Sequence, residues 1–170
     1  MRTDGIWANI FRLGHTNESL SEALRRVPMF RDLGDRELKA LERLVHTRSY
    51  SEGELIFTEK EPGAGMYVIL TGGVNILLDH DSRTPLHLAE LEAGDFFGEM
   101  ALLGEGERSA TARARQATDL VGFFHPDLIE VMRLHPTMGA KLTLGLARTL
   151  AERLRFTNAQ LRGMWEIRSE

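Results

Sequence analysis

The 170-residue sequence contains no cysteine, which excludes disulfide bonds, thiolate metal sites and cysteine nucleophiles. It also lacks any apolar run of about 18 residues, the length expected of a membrane-spanning helix. Its first residues contain neither the continuous apolar core nor the small-residue cleavage site of a signal peptide. These absences predict a protein of the cytoplasm with no membrane partner.

The sequence also has no excess of positive charge. Lys and Arg number 21 against 25 Asp and Glu, a formal net charge of -4, so the composition does not favour nucleic acid. The 6 histidines are scattered without the paired spacing of a metal site. No nucleophile with a neighbouring base and no carboxylate pair with catalytic spacing stands out. The sequence therefore predicts no DNA binding, no metal and no catalytic residues.

Three stretches of helical periodicity stand in the N-terminal region. Residues 6–11 predict a short amphipathic helix that covers the domain or binds a partner. Residues 20–27 predict a second helix, which ends before Pro28 because the residue ahead of a proline disfavours the helical conformation. A third helix follows Gly34, a candidate N-cap, with Glu37 at the capping-box position.

From residue 47 onward the sequence changes to short apolar stretches separated by turn residues. Seven candidate strands result: 47–50, 54–58, 66–70, 74–79, 86–91, 110–114 and 120–124. Many short strands without alternating helices are typical of antiparallel barrels and jelly rolls. We predict an α+β, mainly β fold: an antiparallel β-barrel of the double-stranded jelly-roll type with N-terminal helices and a long C-terminal helix.

Two prolines mark the last helices. Pro126 suits the first turn of a helix that ends near residue 134, and Pro136 suits the start of one that continues almost to the end. Steps of three and four along this long helix form a possible seam: Ala147, Leu150, Leu154, Thr157, Leu161 and Met164. The seam predicts a homodimer through the C-terminal helix, and packing on its own barrel is the alternative.

The most informative segment is residues 96–111, FFGEMALLGEGERSAT, between two candidate strands. The run after Gly98 suits a single helical turn, whose free N–H groups and positive dipole end attract an anion. Arg108 adds a guanidinium fork that suits a phosphate, and Ser109 adds a hydroxyl donor. Glu99 can accept hydrogen bonds from a sugar hydroxyl if Arg108 separates it from the phosphate. Sugar and phosphate together indicate a nucleotide.

The runs Phe-Gly-Glu-Met-Ala-Leu-Leu and Arg-Ser-Ala-Thr strongly resemble the phosphate-binding cassette of cyclic-nucleotide-binding domains. Residues 53–57, 66–69 and 72–74 also fall where the early strands and turns of that family lie, and the resemblance covers roughly residues 24–161. It implies that Glu99 accepts the ribose 2′-hydroxyl and that Arg108 pairs with the cyclic phosphate. The other cassette positions in the candidate contact set are Gly98, Met100, Ala101, Ser109 and Ala110. Met100, like Leu102, also suits the core.

Residues 154–158, Leu-Arg-Phe-Thr-Asn, resemble the central helix of bacterial catabolite activator (Crp-Fnr-type) regulators. In those proteins a Thr-Ser pair meets the adenine amino group across a dimer. Thr157 and Asn158 occupy that place here, and Arg153 matches a nearby arginine. With Ser109, these residues favour cAMP as the ligand over cGMP. The resemblance implies a stand-alone sensor that signals through its C-terminal helix to an unidentified protein effector.

The same resemblance divides the chain into three parts. Residues 1–18 are expected to form an N-terminal helical extension, residues 19–135 the cyclic-nucleotide-binding barrel with its flanking helices, and residues 136–170 a dimerisation or lid helix. The helix-turn-helix module of the bacterial regulators is not found, which again argues against DNA as a partner.

The sequence departs from the family pattern at three positions. Lys60 stands where the family often has a turn glycine, and Glu105 and Glu107 place negative charge near the predicted anion site. An alternative therefore stays open, in which a degenerate barrel serves as a protein–protein interaction module. In that case Glu99 and Arg108 form only a structural ion pair.

Overall fold

The structure is a computed structural model that describes residues 19–104 and 106–168. The predicted extension 1–18, with its helix at residues 6–11, lies outside the described residues. The described chain opens with three short helical elements: α1 (Leu20–Arg26), the 3-10 helix η1 (Pro28–Phe30) and α2 (Asp35–Leu41).

Carboxylates cap both of the short α-helices. The Glu37 carboxylate accepts the backbone N–H of Gly34 at 2.7 Å, which confirms the predicted cap of α2. At α1, Ser19 and Glu22 form a full capping box that the sequence analysis did not single out. These caps satisfy backbone N–H groups that a helix start leaves without partners.

All seven predicted strands form, each within two residues of its expected ends. Three strands of two residues each were not predicted, because two residues are too few to show an alternating pattern. The strands are β1 (His46–Tyr50), β2 (Leu55–Phe57), β3 (Pro62–Gly63), β4 (Gly65–Thr71), β5 (Gly73–Leu78), β6 (Leu86–Glu92), β7 (Phe96–Phe97), β8 (Gly106–Glu107), β9 (Thr111–Ala114) and β10 (Thr118–Phe124). A 3-10 helix, η2 (Glu99–Leu102), lies between β7 and β8, and α3 (His125–Leu134) and α4 (Pro136–Arg168) follow β10.

The strands pair antiparallel in two four-stranded sheets and one short pair. The sheet orders are β1-β10-β4-β7 and β2-β9-β5-β6, and β3 pairs with β8. The predicted antiparallel, jelly-roll-like fold with helices is confirmed, but the pairing of the described strands gives two separate sheets and not one closed barrel. The chain leaves the first sheet for the second at Gly72, whose φ of +85° favours glycine. Consecutive strands β4 and β5 therefore lie in different sheets.

Apolar side chains form two clusters. The first joins the helices to the sheet that contains β4 and β10, and includes Phe30, Leu102, Phe123 and Leu142. The second contains residues of both four-stranded sheets, Ile69, Val74, Phe97, Ala112 and Leu120. The buried side chain of Leu102 belongs to the first cluster, so η2 is anchored to the helical layer.

The first part of α4 packs on the domain through apolar side chains. Met138, Leu142 and Leu146, spaced four residues apart, are buried in the first cluster. Ion pairs of 2.6 Å from Lys141 to Glu37 and 2.7 Å from Arg148 to Asp32 attach the same part to the N-terminal elements. The hydrogen bond from Lys141 also holds the pKa of Glu37 below its ordinary value.

The second part of α4 extends away from the core. From 152 to 162, every side chain that the structure describes is exposed, including Leu154, Thr157 and Leu161 of the predicted seam. Leu150 of that seam is partly buried against the first cluster. Within the described residues, none of the helices combines the length and the apolar content that a membrane span needs.

Candidate ligand-binding site

A cavity of about 240 Å³ opens beside η2, β6 and the middle of α4. One wall is apolar and is formed by Phe57, Ile76, Ala89, Leu91 and Phe97. The segment between β7 and β9, which carries the polar residues of the predicted cassette, also lines the cavity. A cavity with a largely apolar lining and a few convergent polar groups is typical of small-molecule sites.

Arg108 is the buried cation of this cavity. Its side chain is 7% exposed, and its Nη1 donates hydrogen bonds to the carbonyl oxygens of Gly65 at 2.7 Å and Gly98 at 3.2 Å. The guanidinium carbon lies 4.0 Å from the centre of the Phe57 ring, within the range of a cation–π contact. Nη1 makes both of these hydrogen bonds, and the buried Nε has no hydrogen-bond partner among the described residues.

No carboxylate of a described residue lies within 4 Å of the Arg108 guanidinium. Burial therefore lowers the pKa of Arg108 from its ordinary value, against the smaller opposing effects of Tyr67, Glu61 and Glu99. A buried cation without an ion-pair partner is unfavourable until an anion joins it. This part of the cavity therefore suits a small anion.

A tight turn holds the backbone of Arg108 in place. Lys60 donates its backbone N–H to the Arg108 carbonyl at 2.8 Å, and Arg108 donates to the carbonyl of Glu61 at 2.8 Å. Lys60 has a φ of +69°, a conformation that favours glycine. The turn thus keeps the conformation that a glycine would adopt, although a lysine stands at this position where the family often has glycine.

Gly98 joins β7 to η2 in a left-handed conformation with a φ of +75°. A Cβ at this position would lie 2.6 Å from Nη1 of Arg108 and 3.2 Å from the carbonyl oxygen of Gly65. The backbone therefore approaches the Arg108 side chain more closely than any other amino acid would permit. The single helical turn that the sequence predicts after Gly98 is present as η2.

Glu99 is 2% exposed and lies at the start of η2. Its Oε1 pairs with Nη1 of Arg153 at 2.9 Å, whereas its Oε2 is buried with no hydrogen-bond partner in the structure. Glu99 therefore forms its ion pair with Arg153 of α4, and not with Arg108 as the alternative interpretation of the sequence assumed. The unpartnered oxygen is a strong acceptor on a residue that lines the cavity.

Arg153 connects α4 to both η2 and β7. Besides its pair with Glu99, its Nη2 donates to the Phe96 carbonyl at 2.9 Å, and its guanidinium carbon lies 4.8 Å from the centre of the Phe96 ring. Leu154 and the later residues whose side chains the structure describes, up to residue 162, are exposed. Arg153 is thus the last described residue of α4 that reaches the domain through a hydrogen bond or an ion pair to another element.

Eight of the ten candidate residues line the cavity, and two do not. Those that line it are Gly98, Glu99, Met100, Ala101, Arg108, Ser109, Ala110 and Arg153. Thr157 and Asn158 are exposed farther along α4, and the Thr157 hydroxyl donates to the Arg153 carbonyl at 3.0 Å. Met100 is 63% exposed, so the expectation that it could belong to the core is wrong, while Leu102 is fully buried as expected.

The acidic residues near the cassette have different places. Glu107 lines the cavity with an exposed side chain, and Glu105 lies outside the described residues. Nowhere in the part of the chain that the structure describes do three or more His, Cys, Asp or Glu side chains gather as metal ligands would.

Comparison with known families agrees with this geometry. The family model described as the cyclic nucleotide-binding domain matches residues 47–135, which contain all of β1 except its first residue, β2 to β10 and the whole of α3. The chain belongs to the cyclic nucleotide-binding domain family. Its cassette, which the sequence analysis identified by resemblance, lies inside the matched region.

Relatives of this domain occur in larger proteins of different kinds. The cyclic AMP receptor protein of Thermus thermophilus is 35% identical over 74% of this chain and 58% of its own length. A putative potassium channel protein of Rhodopseudomonas palustris is 30% identical over 98% of this chain and 40% of its own. The crystal structure of the Thermus thermophilus catabolite activator protein superposes with a TM-score of 0.70 at 34% identity, over 79% of this chain and 62% of that one. The chain thus spans less than two thirds of the length of these relatives.

The residues of the apolar wall were not predicted from the sequence. Its members come from β2, β5, β6 and β7, and Ile76 and Ala89 are direct cross-strand partners. One signal was available in β6. Ala89 and Leu91 lie on one face of this strand and are half-buried, whereas their neighbours along the chain lie on the other face and are exposed. This alternation indicates an inward face, but it does not show that the face borders a cavity.

Proposed function

We propose that this domain binds a 3′,5′-cyclic nucleotide, with cAMP favoured over cGMP, and acts as a cytoplasmic sensor. The observation that carries the proposal is the buried Arg108 guanidinium, which borders the cavity with no carboxylate within 4 Å among the described residues. A cyclic phosphate carries a single negative charge. It would supply the missing anion and accept hydrogen bonds from the guanidinium fork.

The ribose has a matching partner in Glu99. Its Oε2 is buried without a donor, and a ribose 2′-hydroxyl would give it one. A buried acceptor without a donor costs about 1–3 kcal/mol, so filling this position favours binding. Oε1 stays with Arg153, which keeps the carboxylate charge compensated while the sugar binds.

The base would lie against the apolar wall. Ser109 borders the cavity beside Arg108, and Thr157 and Asn158 lie one turn or more beyond Arg153 on α4. Contacts from these two residues to the base require the exposed part of α4 to approach the cavity. The preference for cAMP rests on these residues and on the name of the Thermus thermophilus relative.

The same arrangement supports signalling through α4. A ligand shifts a conformational equilibrium only by binding one state more tightly, and Arg153 links the cavity to α4. The exposed seam residues Leu154 and Leu161 support a homodimer through this helix. The receiving partner is an unidentified protein effector, and enzymatic activity is not proposed.

Calorimetric titration with cAMP, cGMP and 5′-AMP tests the binding proposal. The protein is first shown to be free of nucleotide. We expect saturable binding of cAMP, weaker binding of cGMP, and weak binding of 5′-AMP because its doubly charged, open phosphate does not match a single guanidinium. Absence of heat and of any thermal shift with all three nucleotides would instead favour the interaction-module alternative.

The role of α4 is tested by amide exchange with and without saturating cAMP. We expect slower exchange at residues 147–165 in the saturated wild type, because base contacts order the exposed part of the helix. In Arg153→Met the link to Glu99 is lost, so the ligand should slow exchange there much less. Exchange that is unchanged by cAMP in the wild type would rule out signalling through this helix.

A further inference from the structure

A histidine outside the cavity contacts the end of the cassette helix. His125 is the first residue of α3, and its Nδ1 lies 2.7 Å from the carbonyl oxygen of Leu102, the last residue of η2. A carbonyl oxygen only accepts, so Nδ1 must carry the hydrogen of this bond. His125 also donates its backbone N–H to the carbonyl of Ala64 at 2.8 Å, and this bond fixes the position of the backbone that carries the imidazole ring.

The bond satisfies a group that the helix itself leaves free. The last carbonyls of a helical turn have no partner within it, and His125 supplies one for Leu102. The side chain of Leu102 packs in the same cluster as Leu128 and Val131 of α3. One end of η2 is therefore attached to α3 by a polar and an apolar contact, while its other end carries Glu99 and borders the cavity.

We infer that His125 is a positioning residue for ligand binding, which it supports by holding η2 where Glu99 and the backbone after Gly98 meet the ligand. This inference rests on the proposed function. η2 has only four residues, so a shift at its last residue reaches its first. When the bond is lost, the binding-competent position of η2 is populated for a smaller fraction of the time. The apparent affinity for the ligand falls in proportion to this population.

Two substitutions separate the hydrogen bond from the shape of the side chain. His125→Asn places an amide N–H where Nδ1 lies, and His125→Leu places a methyl group there. Titration of both variants with cAMP should give a Kd about fivefold to tenfold higher than wild type for leucine, which corresponds to roughly one neutral hydrogen bond. The asparagine variant should stay within about twofold of wild type. Urea unfolding of both variants reports stability separately from affinity.

Amide exchange of residues 99–102 in the free protein gives a readout that does not need the ligand. We expect faster exchange in His125→Leu and wild-type exchange in His125→Asn. If wild type binds no cyclic nucleotide, the proposed function fails, and exchange alone then decides whether His125 positions η2. A purely structural role would lower the unfolding free energy of the leucine variant with Kd and local exchange unchanged. That result, or equal weakening by both variants, would overturn the inference.

Discussion

Replacement of Arg108 by methionine is expected to raise the Kd for cAMP at least a hundredfold while the free energy of unfolding stays within about 1 kcal/mol of wild type. Loss of one partner of a buried, charge-assisted pair costs about 2–5 kcal/mol of binding. The folded protein loses two hydrogen bonds to the carbonyls of Gly65 and Gly98, but it no longer buries an unpaired cation. Methionine also fills the space beside Phe57 and can contact its ring.

Arg108→Lys is the matched control. It keeps the positive charge but loses the planar fork that reaches two oxygens of a phosphate at once. We expect binding between that of wild type and that of the methionine variant, about tenfold weaker than wild type. Calorimetry gives the Kd values, and urea unfolding gives the stabilities. A methionine variant that binds cAMP within threefold of wild type would contradict the assignment of Arg108 to the phosphate.

The cassette could be predicted from the sequence because its chemistry is local. Gly98, Glu99 and Arg108 lie within eleven residues, and the turn, the acceptor and the cation can each be recognised from residue type. The seven longer strands were predictable for a similar reason, since apolar alternation and turn residues are properties of short windows. The two-residue strands have no such window. They form because neighbouring segments such as Pro62–Gly63 and Gly106–Glu107 meet in the fold.

The remaining features depend on contacts between distant segments. The apolar wall unites Phe57, Ile76 and Leu91, whose proximity follows from sheet pairing and not from any local pattern. The pairing of Glu99 with Arg153 depends on where α4 crosses the domain. The prediction placed both residues at the ligand but did not foresee that they contact each other. The separation into two sheets likewise follows from the passage between β4 and β5, which strand propensity does not report.

Gly98→Ala is expected to weaken cAMP binding at least tenfold, whereas Gly53→Ala should leave the Kd unchanged. Both glycines have nearly the same left-handed backbone, with φ of +75° and +79°, so alanine causes similar backbone strain of about 1–2 kcal/mol at each. Their surroundings differ. A Cβ at Gly53 meets nothing within 4 Å, whereas a Cβ at Gly98 would lie 2.6 Å from Nη1 of Arg108.

Comparison of Gly98→Ala with Gly53→Ala therefore separates the effect of displacing the Arg108 guanidinium from the effect of lower stability. The severe contact at Gly98 is with the tip of a side chain, which can move, and the 3.2 Å contact with the Gly65 carbonyl oxygen needs a shift of only a few tenths of an ångström, so the extra cost appears mainly in binding. We expect urea unfolding to show comparable destabilisation of the two variants, within about 1 kcal/mol of each other. Calorimetry should then show weak cAMP binding in Gly98→Ala alone. Equal Kd values for both variants would mean that the close approach of Gly98 to Arg108 is not what places the cation for the phosphate.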